Sequence, residues 1–424
     1  MNRTNMHHLY RIFFLSFSSG LPFLLILSTL SIWLAEIGVS KTMIGLLAWV
    51  SVPYSFKFLL GAVVDRKKIP LCTSLLGMRR SWILFGQVFV LIFLVALGRT
   101  EPSQNILATA FFAFLVGCGS AIQDIAIEAY RIEILPTKKI GLGASVSVLG
   151  YRLGMLFSGA GTIFLATYFS SWSIAYNCMA AFMMIGIITT FCCVEPESKS
   201  PPLQLAVWKT VRDMLHKLDW QIVLPFILSY KIADTVLNVM SMPFLVEIGF
   251  NNIEIASVAK TFGISAMICG GVIGGLLAMR ITLRNFLLAC VVLQAISSAL
   301  FVVQAYAGHN LSVLFVTMGV ENLACGMSQV ALISYLSHLC NKRSTALHYA
   351  ILSSFASFMR VSFSSAAGWM ADQFAWPQFY AIVCLSCLPS IFLLLAFAQH
   401  FYLVAQQPIS VLEPTGELLN GNKI

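Results

Sequence analysis

Charge is what this chain has least of. Only 10% of its 424 residues are Asp, Glu, Lys or Arg, where a soluble domain carries about a quarter. A chain of this length could form two or three soluble domains, but not with 58% hydrophobic residues. The strings that carry common enzyme chemistry are also missing. There is no GxxxxGKS/T loop for ATP, no HExxH helix and no GxSxG elbow. The cysteines are odd in number, eleven, and nearly all lie inside apolar runs with no Cys/His spacing suited to zinc. They read as small buried hydrophobes, so neither a metal nor a cofactor is expected. The net charge of +9 could suggest nucleic acid. Its basic residues instead form short clusters between apolar runs, the pattern left by membrane orientation, and no nucleic-acid partner is expected.

What the chain has is apolar length. A span needs about 20 apolar residues, and runs of that size lie at 12–35, 42–64, 81–98, 105–131, 141–168 and 172–194. Six more follow at 221–247, 252–279, 285–307, 311–338, 346–370 and 376–402. The first run is too long for a signal-peptide core and lacks a small-residue cleavage site, so it is expected to remain as a span. The expected fold is an all-α membrane protein, a bundle of 12 transmembrane helices in two six-helix halves. Residues 1–194 form the first half, 195–220 a linker, 221–402 the second half and 403–424 a polar tail. The linker opens on Glu195-Pro-Glu-Ser-Lys-Ser-Pro-Pro202, a breaker run. It continues with Trp208, Val211, Leu215 and Leu218 on one side and Lys209, Arg212 and Lys217 elsewhere, as in a helix lying on a membrane surface. With an even number of spans both termini share one side, and that side holds 19 of the 26 Lys and Arg residues. The positive-inside rule therefore places both termini in the cytoplasm.

An ionisable side chain at mid-bilayer costs about 3 kcal/mol, so each one inside a span is a functional candidate. Nine occur: Lys57, Asp124, Glu128, Arg152, Lys231, Asp234, Lys260, Glu321 and Arg360. Asp124 and Glu128 are spaced i,i+4 and share a helix face. Asp124 and Arg152 lie at similar distances from the loop near residue 137, which predicts an Asp124–Arg152 pair flanked by Gln123 and Tyr151. Protonation of Asp124 would then free Arg152 for a substrate carboxylate. Lys231 and Asp234, at i,i+3, are expected to pair, with Tyr230 and Asn238 close by. Glu321-Asn322 and Arg360 are again roughly level about their common loop. Lys57 and Lys260 sit nearer span ends, where a long stem can reach water. Ser16-Phe-Ser-Ser-Gly-Leu-Pro22 either breaks the first helix toward a cavity or permits close packing. Trp33, Trp49 and Tyr54 could stack on sugar rings, or simply pack. Without a nucleotide loop, uphill movement must draw on an ion gradient, and a buried carboxylate is the obvious proton carrier.

The second span ends in Gly61-x-x-x-Asp65-Arg66, followed by Arg79-Arg80, and the corresponding place in the second half reads Gly275-x-x-x-Met279-Arg280. This resembles the loop signature of the major facilitator superfamily, with an enlarged first loop and the acid lost in the second copy. Further strings narrow the likeness: Ser19-Gly-Leu-Pro22, Lys41-Thr-Met-Ile-Gly45, Phe56-Lys-Phe-Leu59, Gln123-Asp-Ile125 and Ser147-Val-Leu-Gly-Tyr-Arg-Leu-Gly-Met-Leu156. Tyr230-Lys231 with Asp234, Lys260-Thr-Phe-Gly263, Glu321-Asn-Leu323, Leu339-Cys-Asn-Lys342 and Arg360-Val with Gly368-Trp369 complete it. At these motifs the chain resembles the AmpG family of bacterial inner-membrane permeases, over roughly residues 12–402.

The resemblance implies import of anhydro-muropeptides for cell-wall recycling, by proton symport. It implies that Asp124, Arg152, Lys231, Asp234, Glu321 and Arg360 match polar positions of the family's cavity. Its partners would be a small anionic amino-sugar peptide, a proton and the lipid bilayer. Glu128 stands where the family commonly has Asp, and the extra segments of some members are absent. Rival readings are a carrier of another bulky anion such as acetyl-coenzyme A, or a membrane enzyme acting on cell-wall sugar intermediates. Short loops, with the ionisable groups inside spans, favour transport.

Overall fold

The computed structural model describes residues 3–39, 50–70, 72–196, 219–255, 257–258, 262–340 and 344–406. The expected surface helix of the linker, together with Trp49 and Lys260, lies outside the described residues. Among those described, every regular element is a helix. That is what hydrocarbon demands, because each backbone N–H and C=O must find its partner within the segment.

The first half runs α1 (Arg3–Leu25), α2 (Ser28–Glu36), α3 (Val52–Ser55), α4 (Lys57–Val64), α5 (Cys72–Leu76), α6 (Met78–Gly98), α7 (Ile106–Ile134), α8 (Ile140–Phe169) and α9 (Trp172–Cys192). The second runs α10 (Trp220–Glu247), α11 (Asn252–Ile255), α12 (Gly263–Arg280), α13 (Leu283–Ala307), α14 (Leu311–His338), α15 (Thr345–Gln373), α16 (Trp376–Leu385), α17 (Leu388–Ala396) and α18 (Ala398–Gln406). Ten stretches are long and apolar enough to cross a membrane, among them Met6–Glu36, which joins α1 to α2, and Trp376–Ala396, which joins α16 to α17. The more polar α15, 29 residues long, fills the place of the eleventh expected span, and α3 with α4 ends the second. The eighth span was expected over 252–279, yet its long helix begins only at Gly263.

Helix starts follow side-chain chemistry. Asn105 Oδ1 accepts the Ala108 N–H at 3.0 Å to open α7, and Asn310 Oδ1 accepts those of Ser312 and Val313 to open α14. Each satisfies donors that a helix end leaves without partners.

Inside lipid helices hold together by close contact rather than by exclusion of water, so small residues mark the seams between them. On α1, Gly20 lies against the Tyr151 carbonyl of α8 so closely that any Cβ would collide with it. Ser16 and Ser147 hydroxyls meet at 2.9 Å on the same seam. The Ser16–Pro22 string is thus a packing surface, and the helix interruption falls one turn later, at residues 26–27. Trp33 is buried, stacked 5.9 Å from Trp172. The sheath of each half has its own core, one around Leu21, Val90 and Tyr176 and one around Phe226, Phe301 and Tyr380. A third cluster, with Ile83 and Tyr130 from the first half and Ala346 and Ala350 from the second, joins them at one end. That end carries Arg79, Arg131 and the 137–139 turn, and is called the basic end below. Cys384 and Cys387, spaced C-x-x-C in α16 and just after it, are free thiols, and Cys384 Sγ donates to the Ala295 carbonyl at 3.4 Å.

Candidate functional site

Two polar constellations lie along the bundle axis. The first is at mid-depth. Asp124 on α7 is buried and accepts the Ser19 hydroxyl of α1. Its Oδ2 lies 2.6 Å from Lys57 Nζ at the start of α4. Lys57 also sits over the Tyr54 ring, 5.1 Å from its centre. The expected Asp124–Arg152 pair is therefore corrected. Asp124 is level with Tyr151 through Ser19 and Gly20, as the loop arithmetic required. Depth does not fix azimuth, however, and Lys57 presents its ammonium on the side where Asp124 points. Lys57 pairs with a carboxylate, with its side chain 20% exposed, instead of reaching for the water layer.

Arg152, half-buried on α8, forms no ion pair or hydrogen bond among the described residues. It faces the second half instead. Cys325 of α14 has Asp234, Glu321, Arg152 and Lys231 in its neighbourhood. On α10, Lys231 Nζ lies 2.7 Å from Asp234 Oδ2 as the i,i+3 spacing predicts. Asn238 Nδ2 donates to the Asp234 carbonyl at 2.7 Å and approaches Cys325 Sγ at 3.9 Å. Asn238 is exposed although its partners are buried. Glu321 on α14 is only 4% exposed and has no hydrogen bond or ion pair among the described residues. Tyr151 packs its ring 6.5 Å from that of Phe23. Arg360 belongs to α15, but its side chain lies outside the described residues.

The second constellation seals the basic end. Asp65, closing α4, receives Arg79 Nη2 at 2.7 Å. Arg79 continues to Glu133 at 2.6 Å, forming an acid–base–acid chain. The remaining lone pairs of Asp65 accept the Ala346 and Leu347 N–H groups at 3.3 and 2.8 Å. These are the first turn of α15, whose dipole favours a carboxylate there. The two carboxylates offset the cost of burying the Arg79 charge. Gly61 makes this approach possible, since a Cβ would sit 2.9 Å from the Ala346 carbonyl oxygen. Arg66 follows Asp65, half-buried.

Glu128, one turn from Asp124 on α7, takes its ion-pair partner here. Arg131 takes it at 2.5 Å, reaches Ser337 of α14 at 3.1 Å and lies over the Tyr349 ring. The i,i+3 spacing of Glu128 and Arg131 was the available sequence signal, and Glu133 was visible as an acid at the end of the same run. A fourth cross-half hydrogen bond joins Ser145 Oγ to the Gly271 carbonyl at 2.6 Å. At the opposite end the contacts of Trp172 with Trp33 and Glu36 stay within the first half, and that of Glu254 with His309 within the second. The described arrangement is closed at the basic end.

Comparison with known proteins agrees with this architecture. The model of the Major Facilitator Superfamily matches residues 12–230 and again 215–417, one match per half. The anhydromuropeptide permease of Escherichia coli K12 is 34% identical over 389 residues, covering 91% of this chain and 78% of that protein. A protein of Rickettsia prowazekii named as transporter AmpG 1 is 28% identical, covering 92% and 97%. Among solved structures, FucP in its outward conformation superposes with a TM-score of 0.71 at 14% identity, covering 92% of this chain and 97% of that one. The proton:xylose symporter XylE gives 0.67 at 14% identity, covering 93% and 96%. The chain thus belongs to the major facilitator superfamily and, within it, to the AmpG family of permeases.

Proposed function

We propose that this protein imports anhydro-muropeptides across the bacterial inner membrane by proton symport, with both termini in the cytoplasm. The observation that carries the reading is that two ionisable groups near Cys325, Arg152 and Glu321, have no ion-pair or hydrogen-bond partner among the described residues. Holding an unpaired charge away from water is costly, so each group has something to gain from a ligand. A guanidinium takes a carboxylate with two parallel hydrogen bonds, which suits the anionic end of a muropeptide. A carboxyl without a cation beside it is the group on which a transported proton can sit. Lys57–Asp124 and Lys231–Asp234 flank the path as internally neutral pairs, which spares the cavity two further naked charges.

The 34% identity to a permease of that substrate supports the choice of cargo, and the concentration of Lys and Arg at the basic end supports a cytoplasmic placement of that end. Alternating access follows from the two-half construction: the halves part at the basic end as they meet at the other. Labelled anhydro-muropeptide and proteoliposomes with an imposed pH gradient test the reading. Saturable accumulation that a protonophore abolishes is expected. Accumulation indifferent to the protonophore would refute the coupling, and no saturable uptake at all would refute the cargo.

A further inference from the structure

A cavity of about 180 Å³ lies away from the polar centre, at the basic end where the halves meet. Its wall takes Thr137, Lys138 and Gly141 from the first half and Thr282, Ser334 and His338 from the second. A single water needs about 10–15 Å³ of such space, so the cavity has room for a group much larger than water. Its chemistry is one-sided. Lys138 is exposed and has no carboxylate partner among the described residues, and none of the lining residues is acidic.

Two helices begin at its rim, α8 at Ile140 and α13 at Leu283. A 3-10 turn, Thr137–Lys139, leads into α8 without a side-chain cap. The Lys139 and Ile140 N–H groups donate to the Pro136 and Thr137 carbonyls, and those of Thr137 and Lys138 make no hydrogen bond among the described residues, which suits an anion. Ser334 provides a separate sign. It is only 2% exposed, lines the cavity, and its hydroxyl makes no hydrogen bond among the described residues. A buried hydroxyl without a partner beside a polar cavity is a site short of a ligand.

We infer that this cavity binds a phosphate group, carried either by free phosphate or by the headgroup of an anionic lipid, and that it does so when the basic end is closed. Lys138 supplies the charge, the Thr137–Lys138 turn leading into α8 supplies N–H donors, and Ser334 and Thr282 supply hydroxyls from the other half. Because the partners come from both halves, separating them dismantles the site. A ligand there selects the closed arrangement through differential affinity alone.

The test uses the full-length protein and measures thermal stability and direct binding. One arm adds inorganic phosphate against chloride at equal ionic strength. The other compares nanodiscs of phosphatidylglycerol with nanodiscs of phosphatidylcholine. Stabilisation by phosphate identifies a soluble anion as sufficient, and stabilisation by phosphatidylglycerol alone identifies the lipid headgroup. Lys138→Gln and Ser334→Ala should each weaken the ligand by roughly tenfold, the factor expected on losing one charge-assisted or buried hydrogen bond. Lys138→Arg should retain it. Wild-type protein that responds to neither probe, or variants that respond as the wild type does, would overturn the inference. Both variants should melt as the wild type does in chloride, so a failure of folding is told apart from a loss of binding.

Discussion

Lys57 Nζ lies 2.6 Å from Asp124 Oδ2, joining α4 to α7 inside the first half, while Arg152 on the neighbouring α8 has no carboxylate partner among the described residues. The charge of Asp124 is thus neutralised within the protein, and Arg152 stands ready for a ligand. Replacing Asp124 by Asn strands the ammonium of Lys57. Breaking a buried pair costs about 3–5 kcal/mol, and the partial exposure of Lys57 puts the expected loss toward the lower end. Lys57→Met with Asp124→Leu should recover most of the loss of thermal stability seen in Asp124→Asn. A double variant as unstable as the worse single change would deny the coupling.

Lys231 and Asp234 are more deeply buried and share one helix. Asp234→Asn should lower the melting point more than Lys231→Met combined with Asp234→Leu. A double-mutant cycle gives the coupling directly, and a value within error of zero would contradict the pair.

Arg152→Gln should raise the apparent KM for an anionic muropeptide by about 10–100-fold, the weight of a hydrogen bond to a charged group. Arg152→Lys should fall between, because a point charge replaces a planar fork. Equal KM values in wild type and Arg152→Gln would remove Arg152 from the binding site.

Asp65 ties the first turn of α15 to the first half. Asp65→Asn keeps the shape and loses the charge, which should shift the closed–open balance at the basic end by about 1–2 kcal/mol. Spin labels placed across that end would then report a roughly 5–30-fold rise in the open population. Gly61→Val, whose Cβ would meet the Ala346 carbonyl oxygen at 2.9 Å, should act in the same direction. Unchanged distances in both variants would argue against a latch.

Glu254 and His309 join the α11 turn to the start of α14 at the opposite end, 2.9 Å apart. The hydrogen bond from His309, then that from the Asn251 N–H, holds the Glu254 carboxyl below its usual value of 4.5. A depressed carboxyl stabilises the fold above its unfolded pKa and loses that contribution as pH falls through the folded value. The difference in melting point between wild type and Glu254→Gln should therefore be present at about pH 5, begin to fall near 4.5 and be lost as pH drops through the lower folded value. A difference that persists to pH 3 would contradict the assignment.

The spans were legible because apolar length is a property of composition, and Lys231–Asp234 because both residues ride one helix. Lys57–Asp124 was not, since residues 67 apart in sequence meet only through the packing of two helices. Counting from a shared loop placed Asp124 and Arg152 at one depth, but rotation about the helix axis decides the partner. Glu128 was read with Asp124 one turn away when Arg131, three residues on, offered an opposite charge. The role of Asp65 at the start of α15 needed the fold, because a helix N-terminus from the other half leaves no mark on the sequence around Asp65.

The central claim is that Glu321 carries the proton that drives the cargo. Its most direct test sets accumulation beside counterflow exchange in Glu321→Gln, which imitates the protonated carboxyl. The account predicts exchange of labelled anhydro-muropeptide within about threefold of wild type and no accumulation above equilibrium under an imposed pH gradient. Gradient-driven accumulation by Glu321→Gln equal to that of the wild type would contradict it.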